Sequence, residues 1–376
     1  MTSRERLLTV LQGKLPDCVP VAPDFSNMIP CRLTGKPFWQ IYLYNDPPPW
    51  EAYIACAKRF NIDSLMDGYA PLVFPEEIQD EGWEPFLVSR NDQRLVVQRS
   101  RLVSGRREWE NAVTVYYVAD PPTGGIPPEK LGLPAVPKQW EPVEGVKPTL
   151  NGPALLSDVK RKLGDQGLVG VRAASTCALG RPEDVYRYYD HPELHETWAA
   201  ERVEAAERRM ARILALEDKP DFLCVGGSGS LVCQTVDILR QLALPAVKRA
   251  IELATAAGIP THVHACGPEK ELVRIMAEET DLTVIDPLEI PPMGDCNLAE
   301  LKRLYGRKLT LKGNLHTTDV MLRGSVDDVV CASKQAIDDA AEGGRFILST
   351  GDQCGRDTPD ANLEAMVETA RTYGRY

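Results

Sequence analysis

The sequence has no apolar run approaching about 18 residues, so it offers no membrane-spanning helix. It has no surplus of positive charge either. Across 376 residues, 43 Lys and Arg stand against 54 Asp and Glu, a formal net charge of −11. That balance argues against nucleic acid or an anionic membrane surface as a partner. The start, Met1-Thr2-Ser3-Arg4-Glu5-Arg6, leads into a mixed helix with no apolar signal region. The ten cysteines, at 18, 31, 56, 177, 224, 233, 266, 296, 331 and 354, lack the density of a disulfide scaffold. A cytoplasmic protein with free or metal-bound thiols is expected. Nucleotide and serine-hydrolase motifs are also missing. Gly227-Ser228-Gly229 meets Val232 where a third glycine should stand, no Gly-x-x-x-x-Gly-Lys-Ser/Thr occurs, and Ser230 replaces the last glycine of a nucleophile elbow. No internal repeat or low-complexity tract is visible.

What is present is alternation. Short apolar runs at 18–23, 62–67, 168–173, 222–226, 261–265, 282–287, 309–313 and 346–350 read as strands buried on both faces. From the third run onward amphipathic patterns separate them, at 193–216, 243–257, 268–279, 297–305 and 325–341. This is the arithmetic of an α/β protein of the (β/α)8 TIM-barrel type, one domain over residues 1–376. Between the second and third strands lies a long insertion, about residues 70–160. Within it 94–101 and 112–119, around Ser104-Gly105, alternate like a β-hairpin. The insertion is expected to cap the barrel or to act as a lid. As a lid it would bring aromatic walls to a pocket, since tryptophans 83, 109 and 140 lie in it.

Chemistry concentrates where histidines do. There are five, and two fall in Thr261-His262-Val263-His264-Ala265-Cys266-Gly267, at the end of the fifth strand. Residues two apart on a strand share a side, so His262, His264 and Cys266 face one way. The sixth run continues to Glu289 and the eighth runs on through Asp352 to Cys354, on the same expected rim. Imidazole, two thiolates and a carboxylate would make a tetrahedral site suited to Zn²⁺ at the end of the barrel where active sites form. The bland alternative is a set of satisfied polar groups under a loop.

The residues then reach a resemblance. Ser3-Arg4-Glu5-Arg6-Leu7-Leu8, Pro16-Asp17-Cys18-Val19-Pro20-Val21, His264-Ala265-Cys266-Gly267, Leu311-Lys312-Gly313-Asn314, and Cys354 followed by Thr358-Pro359-Asp360-Ala361-Asn362-Leu363 are similar to the uroporphyrinogen decarboxylase superfamily. Within it the chain resembles the zinc- and corrinoid-dependent methyltransferase branch. The resemblance implies zinc ligands His264, Cys266 and Cys354, with Glu289 in the place of a further glutamate ligand. True uroporphyrinogen decarboxylases grip their substrate with an Arg-Gln-Ala-Gly-Arg-Tyr stretch. Here the first strand runs instead into Pro23-Asp24-Phe25-Ser26-Asn27-Met28, so porphyrin decarboxylation is set aside.

Asp24-Phe25-Ser26-Asn27, the tryptophan-bearing insertion and Asn314-Leu315-His316-Thr317-Thr318-Asp319 look most like O-demethylase components acting on methoxylated aromatics. The implied reaction is transfer of an ether methyl group to cob(I)alamin. His316 is the expected donor near the departing oxygen, Asp352 a supporting residue, and Asp24 and Asn27 substrate contacts. His262 is expected to orient the metal ligands or to fill the core. No histidine has Asp two residues before it, so the Asp-x-His-x-x-Gly cobalt-ligating signature is absent and the cobalamin is expected on a partner corrinoid protein. Two other readings stand beside this one. One is methylation of a thiol of the coenzyme M kind from methyl-cobalt, and the other is a non-catalytic barrel that binds a corrinoid protein. Homo-oligomerisation stays open.

Overall fold

The protein is described here from a computed structural model, covering residues 1–68, 71–74, 77 and 82–376. Seven of the expected runs form strands: β1 (Ser64–Met66), then, beyond the insertion, β7 (Gly167–Arg172), β8 (Phe222–Cys224), β9 (Thr261–His264), β10 (Val284–Asp286), β11 (Thr310–His316) and β12 (Phe346–Gly351). They make one parallel sheet in the order β1-β7-β8-β9-β10-β11-β12, the sequential order of a barrel.

The first run closes it. Segment 19–23 lies between the two edges of the sheet. On one side the Ala22 N–H donates to the Leu348 carbonyl (2.9 Å) and the Leu348 N–H to the Pro20 carbonyl (2.9 Å). On the other, the Asp63 N–H donates to the Val21 carbonyl (2.8 Å). Only Val21 forms a ladder bridge, because Pro20 and Pro23 have no N–H to give. Asp63 carries the seam further. Its carboxylate accepts from the Val21 N–H (2.8 Å) and pairs with Arg6 (2.6 Å) and Arg371 (2.8 Å), so both ends of the described chain are tied to one buried acid.

Alternation along the staves sorts the core. Val21, Val169, Val171, Leu223, Val263, Ile285, Leu311 and Leu348 face the outer helices. Ala22, Leu65, Leu168, Phe222, Cys224, Val284 and Ile347 pack inside, against Leu7, Val10 and Leu11 of the helix Ser3–Leu11, which closes the N-terminal end. Thr2 and Glu5 form that helix's capping box. Above the apolar plug the next inward positions turn polar: His262, Asp286 and Lys312. This step from apolar plug to polar layer sets the floor of the site.

The insertion is more than a hairpin. β2 (Glu84–Arg90), β3 (Arg94–Val103), β4 (Arg106–Tyr117), β5 (Thr123–Ile126) and β6 (Glu141–Pro142) form an antiparallel sheet in the order β5-β4-β3-β2-β6. The β3–β4 turn is where the sequence puts it. Ser104 and Gly105 both take left-handed backbone, φ 50° and 78°, as a two-residue turn with the twist of its strands requires. The sheet rests on Trp39, Leu43 and Tyr44 through Leu87, Leu95 and Val97. It is also held at the barrel rim by Arg356, whose Nη1 donates to the Ala119 carbonyl (2.6 Å). Trp109 and Trp140 pack on Phe86 within this sheet, at ring separations of 5.6 and 5.3 Å.

Candidate metal centre at the barrel mouth

A cavity of about 270 Å³ opens at the C-terminal end of the staves, with Asp24, Asn27, Asp67, Arg172, His262, His264, Asp286 and Lys312 in its wall. Its lining is charged. Tyr53 is the one aromatic residue there among the described residues, and the insertion's tryptophans do not line it.

Asp286 organises this wall. It ends β10 opposite His264 in the β9 register, two residues along from His262, and is 2% exposed. One carboxylate oxygen accepts from both His262 Nε2 (3.0 Å) and His264 Nδ1 (3.0 Å). The other pairs with the buried Lys312 ammonium from β11. Burial works against the Asp286 charge, but Lys312 and the two imidazoles override it and hold the carboxyl well below the usual range. Burial likewise disfavours charge on His264, and Asp286 reverses that, raising it well above an ordinary histidine.

With Nδ1 committed to Asp286, His264 turns Nε2 to the mouth, 3.6 Å from Asp352 Oδ1. Ligating atoms of His264, Cys266 and Asp352 lie within 4.8 Å of one another. Asp352 reaches them from just beyond β12 with φ 82°, a left-handed backbone that costs a non-glycine residue about 1 kcal/mol or more. This donor set, with a carboxylate orienting the imidazole from behind, suits a transition metal such as Zn²⁺.

The other expected residues fall around this group. The Cys354 thiol is fully buried and, among the described residues, is not part of the group. Burial pushes it up to about 12, and Thr350 and Thr358 are its hydrogen-bonding neighbours. The Cys354 N–H donates to the Asp24 carbonyl (2.8 Å) and its carbonyl accepts from the Ser26 hydroxyl (3.0 Å), so the loop bearing it is stitched to the first stave. Glu289 accepts from the Gly267 N–H (2.5 Å), one residue past Cys266, and burial raises its carboxyl. His316 sits beside Glu289 at the end of β11. Its Nδ1 accepts the N–H groups of Thr318 (3.2 Å) and Asp319 (3.0 Å), capping the next turn. Asp24 and Asn27 line the cavity. Asp24 accepts from the Ser26 N–H (2.8 Å), and burial raises its carboxyl while Lys312 opposes the shift.

Sequence reasoning undervalued Asp286 and Lys312. The available signal was a lysine within the apolar run Leu309-Thr310-Leu311-Lys312-Gly313, since a charge on a stave buried on both faces demands a partner inside.

Comparison with known proteins bears on the same part of the chain. The Uroporphyrinogen decarboxylase (URO-D) family profile matches residues 222–373, which run from β8 through β12 and include His264, Cys266, Asp286, Asp352 and Cys354. The methylcobamide:CoM methyltransferase MtbA of Methanosarcina mazei is 29% identical over 139 residues, 36% of this chain. The match spans 37% of that protein's length. A solved methyltransferase from Methanosarcina mazei has the same fold over 99% of both chains, with a TM-score of 0.57 at 16% identity. These likenesses agree with the barrel: residues 222–373 match the uroporphyrinogen decarboxylase family, and part of the chain is similar to a methylcobamide:CoM methyltransferase.

Proposed function

We propose that this protein is a zinc-dependent methyltransferase that removes the methyl group from a methoxylated aromatic compound and passes it to cob(I)alamin carried by a partner corrinoid protein. The observation that carries the metal half of this reading is the locked imidazole. Asp286 holds His264 by Nδ1, so Nε2 is presented to Cys266 and Asp352 at the mouth of an open cavity. His264, Cys266 and Asp352 would hold the metal, and the family resemblance adds Cys354 as a further ligand. Bound there, zinc would supply Lewis acidity, stabilising the negative charge that develops on a departing oxygen or on a bound thiol.

The chain's own residues do the rest. Asp286 and Lys312 fix the ligand imidazole and keep the charge of the wall balanced. Asp24 and Asn27 border the space a substrate would fill, and the cavity opens toward the side from which a carrier protein would deliver cobalt. Among the residues near Glu289, His316 is the candidate donor to the leaving oxygen, through the ring nitrogen that does not cap the next turn.

A second reading is methylation of a thiol from methyl-cobalt. It is favoured by the likeness to a methylcobamide:CoM methyltransferase and by the charged lining of the cavity. One anaerobic experiment separates the two. Free cob(I)alamin mixed with the zinc-loaded protein and a panel of methoxyarenes is followed by its visible spectrum, and methylcob(III)alamin is followed in parallel with a panel of thiols. Conversion with a methoxyarene, lost on chelation, supports the first reading. Demethylation of methylcob(III)alamin by a thiol, without the former, overturns it in favour of the second.

A further inference from the structure

A second set of ligating atoms lies on the same wall, outside the centre described above. Asp67 just beyond β1, Cys224 at the end of β8 and His262 on β9 each bring one ligating atom to within 4.8 Å of the others. The parallel register sets Cys224 beside His262. Cys224 Sγ is 2.7 Å from Asp67 Oδ1, and His262 Nδ1 is 3.5 Å from Asp67 Oδ2.

The imidazole supplies an independent observation. His262 is 3% exposed, its Nε2 is bonded to Asp286, and its Nδ1 is sealed from solvent without a hydrogen bond. Buried ring nitrogens are nearly always satisfied. This one is aimed at a thiol and a carboxylate. Asp286 therefore orients two imidazoles at once, and the other nitrogen of each lies among a cysteine and an aspartate. Asp67 and His262 also line the cavity, which adjoins the site.

We propose that Asp67, Cys224 and His262 form a second transition-metal site, of the Zn²⁺ class. A thiolate and an imidazole exclude Mg²⁺ and Ca²⁺, which take oxygen ligands. Binding is an exchange. The Cys224 S–H bond breaks, a sulfur–metal bond forms and the thiol proton leaves to solvent, with a second proton released wherever His262 Nδ1 carries one. The site stands independently of the proposed methyl transfer.

The test is metal stoichiometry on the full chain. The purified protein is stripped, reconstituted with Zn²⁺, freed of excess ion and assayed for bound metal, and the same titration is run with Co²⁺ to read thiolate-to-cobalt absorption. Two equivalents are expected, falling to one in Cys224→Ser and to a different one in Cys266→Ser. Asp67→Asn, on the cavity wall, tests the site while keeping the Cys224 side chain in place. It is expected to weaken one equivalent at least tenfold and leave the other unchanged. A wild-type protein that saturates at one equivalent, lost in Cys266→Ser and indifferent to both Cys224→Ser and Asp67→Asn, would overturn the proposal.

Discussion

Asp286→Asn is the perturbation the structure makes most informative. The side chain keeps its shape and loses its charge, so nothing is unpacked. Three partners are affected: the Lys312 ammonium, His262 Nε2 and His264 Nδ1. Both members of the ion pair are buried, at 2% and 6% exposure, so water cannot replace the lost carboxylate. Removing one partner of such a pair costs roughly 3–5 kcal/mol. Loss of the carboxylate behind His264 should weaken zinc about 10- to 100-fold. Urea denaturation of the metal-free protein reads the first quantity, and competition with a chromophoric chelator reads the second. Lys312→Met completes the cycle. The double variant should be more stable than Asp286→Asn alone, because the stranded ammonium is gone. If Asp286→Asn loses less than about 1 kcal/mol, within the common range for any substitution, and binds zinc within a factor of two of wild type, Asp286 is not the organising group argued here.

Two further outcomes follow from other parts of the fold. Arg240 and Lys248 hold the Glu279 carboxyl down to about 2, and because the folded value is depressed, its contribution to stability is complete above its ordinary value of 4.5 and lost as pH falls through about 2. Carbon-detected NMR titration should find this value and see it rise toward the ordinary one in Arg240→Ala/Lys248→Ala; no rise would refute the assignment. Phe25→Ala removes a fully buried ring that packs on Phe60 (5.5 Å) and Tyr53 (6.3 Å) beside the cavity. A loss of about 3–5 kcal/mol is expected by denaturation, and a loss under about 1 kcal/mol would mean the seam next to the first stave repacks freely.

The staves were legible because a strand covered on both faces has to be a short apolar run, and each of the eight runs falls on a barrel stave. Segment 18–23 was legible as a run but not as a regular strand, since it pairs only through isolated bridges, Val21 with Leu348 and Cys18 with Arg375, and Pro20 and Pro23 have no N–H to give. The insertion was half legible. The Ser104-Gly105 turn announces β3 and β4, whereas β5, Thr123–Ile126, contains Gly124 and Gly125, and β6 has only two residues, too few to alternate. At the mouth, the two-residue spacing gave His264 and Cys266 a common direction. It could not supply their third neighbour. Among the described residues Asp352, on a left-handed backbone, groups with them while the Cys354 thiol two residues on is buried, a difference that rim position alone does not reveal. Asp286 was equally hidden. On paper it is one more acid ending a strand, and only the register between β9 and β10 hands it two imidazoles.

The seam between segment 19–23 and β12 has a bearing on assembly. Ser349 donates its hydroxyl to the Ala22 carbonyl across 327 positions of sequence, and the same seam brings Asp24 to the loop that carries Asp352 and Cys354. Contacts so distant along the chain carry a high loop-closure cost and slow folding. A chain ending before residue 346 would keep His264 and Cys266 but lack β12 and, with it, Asp352 and Cys354. The barrel's last wall and the last of the proposed ligands therefore come from the same stave.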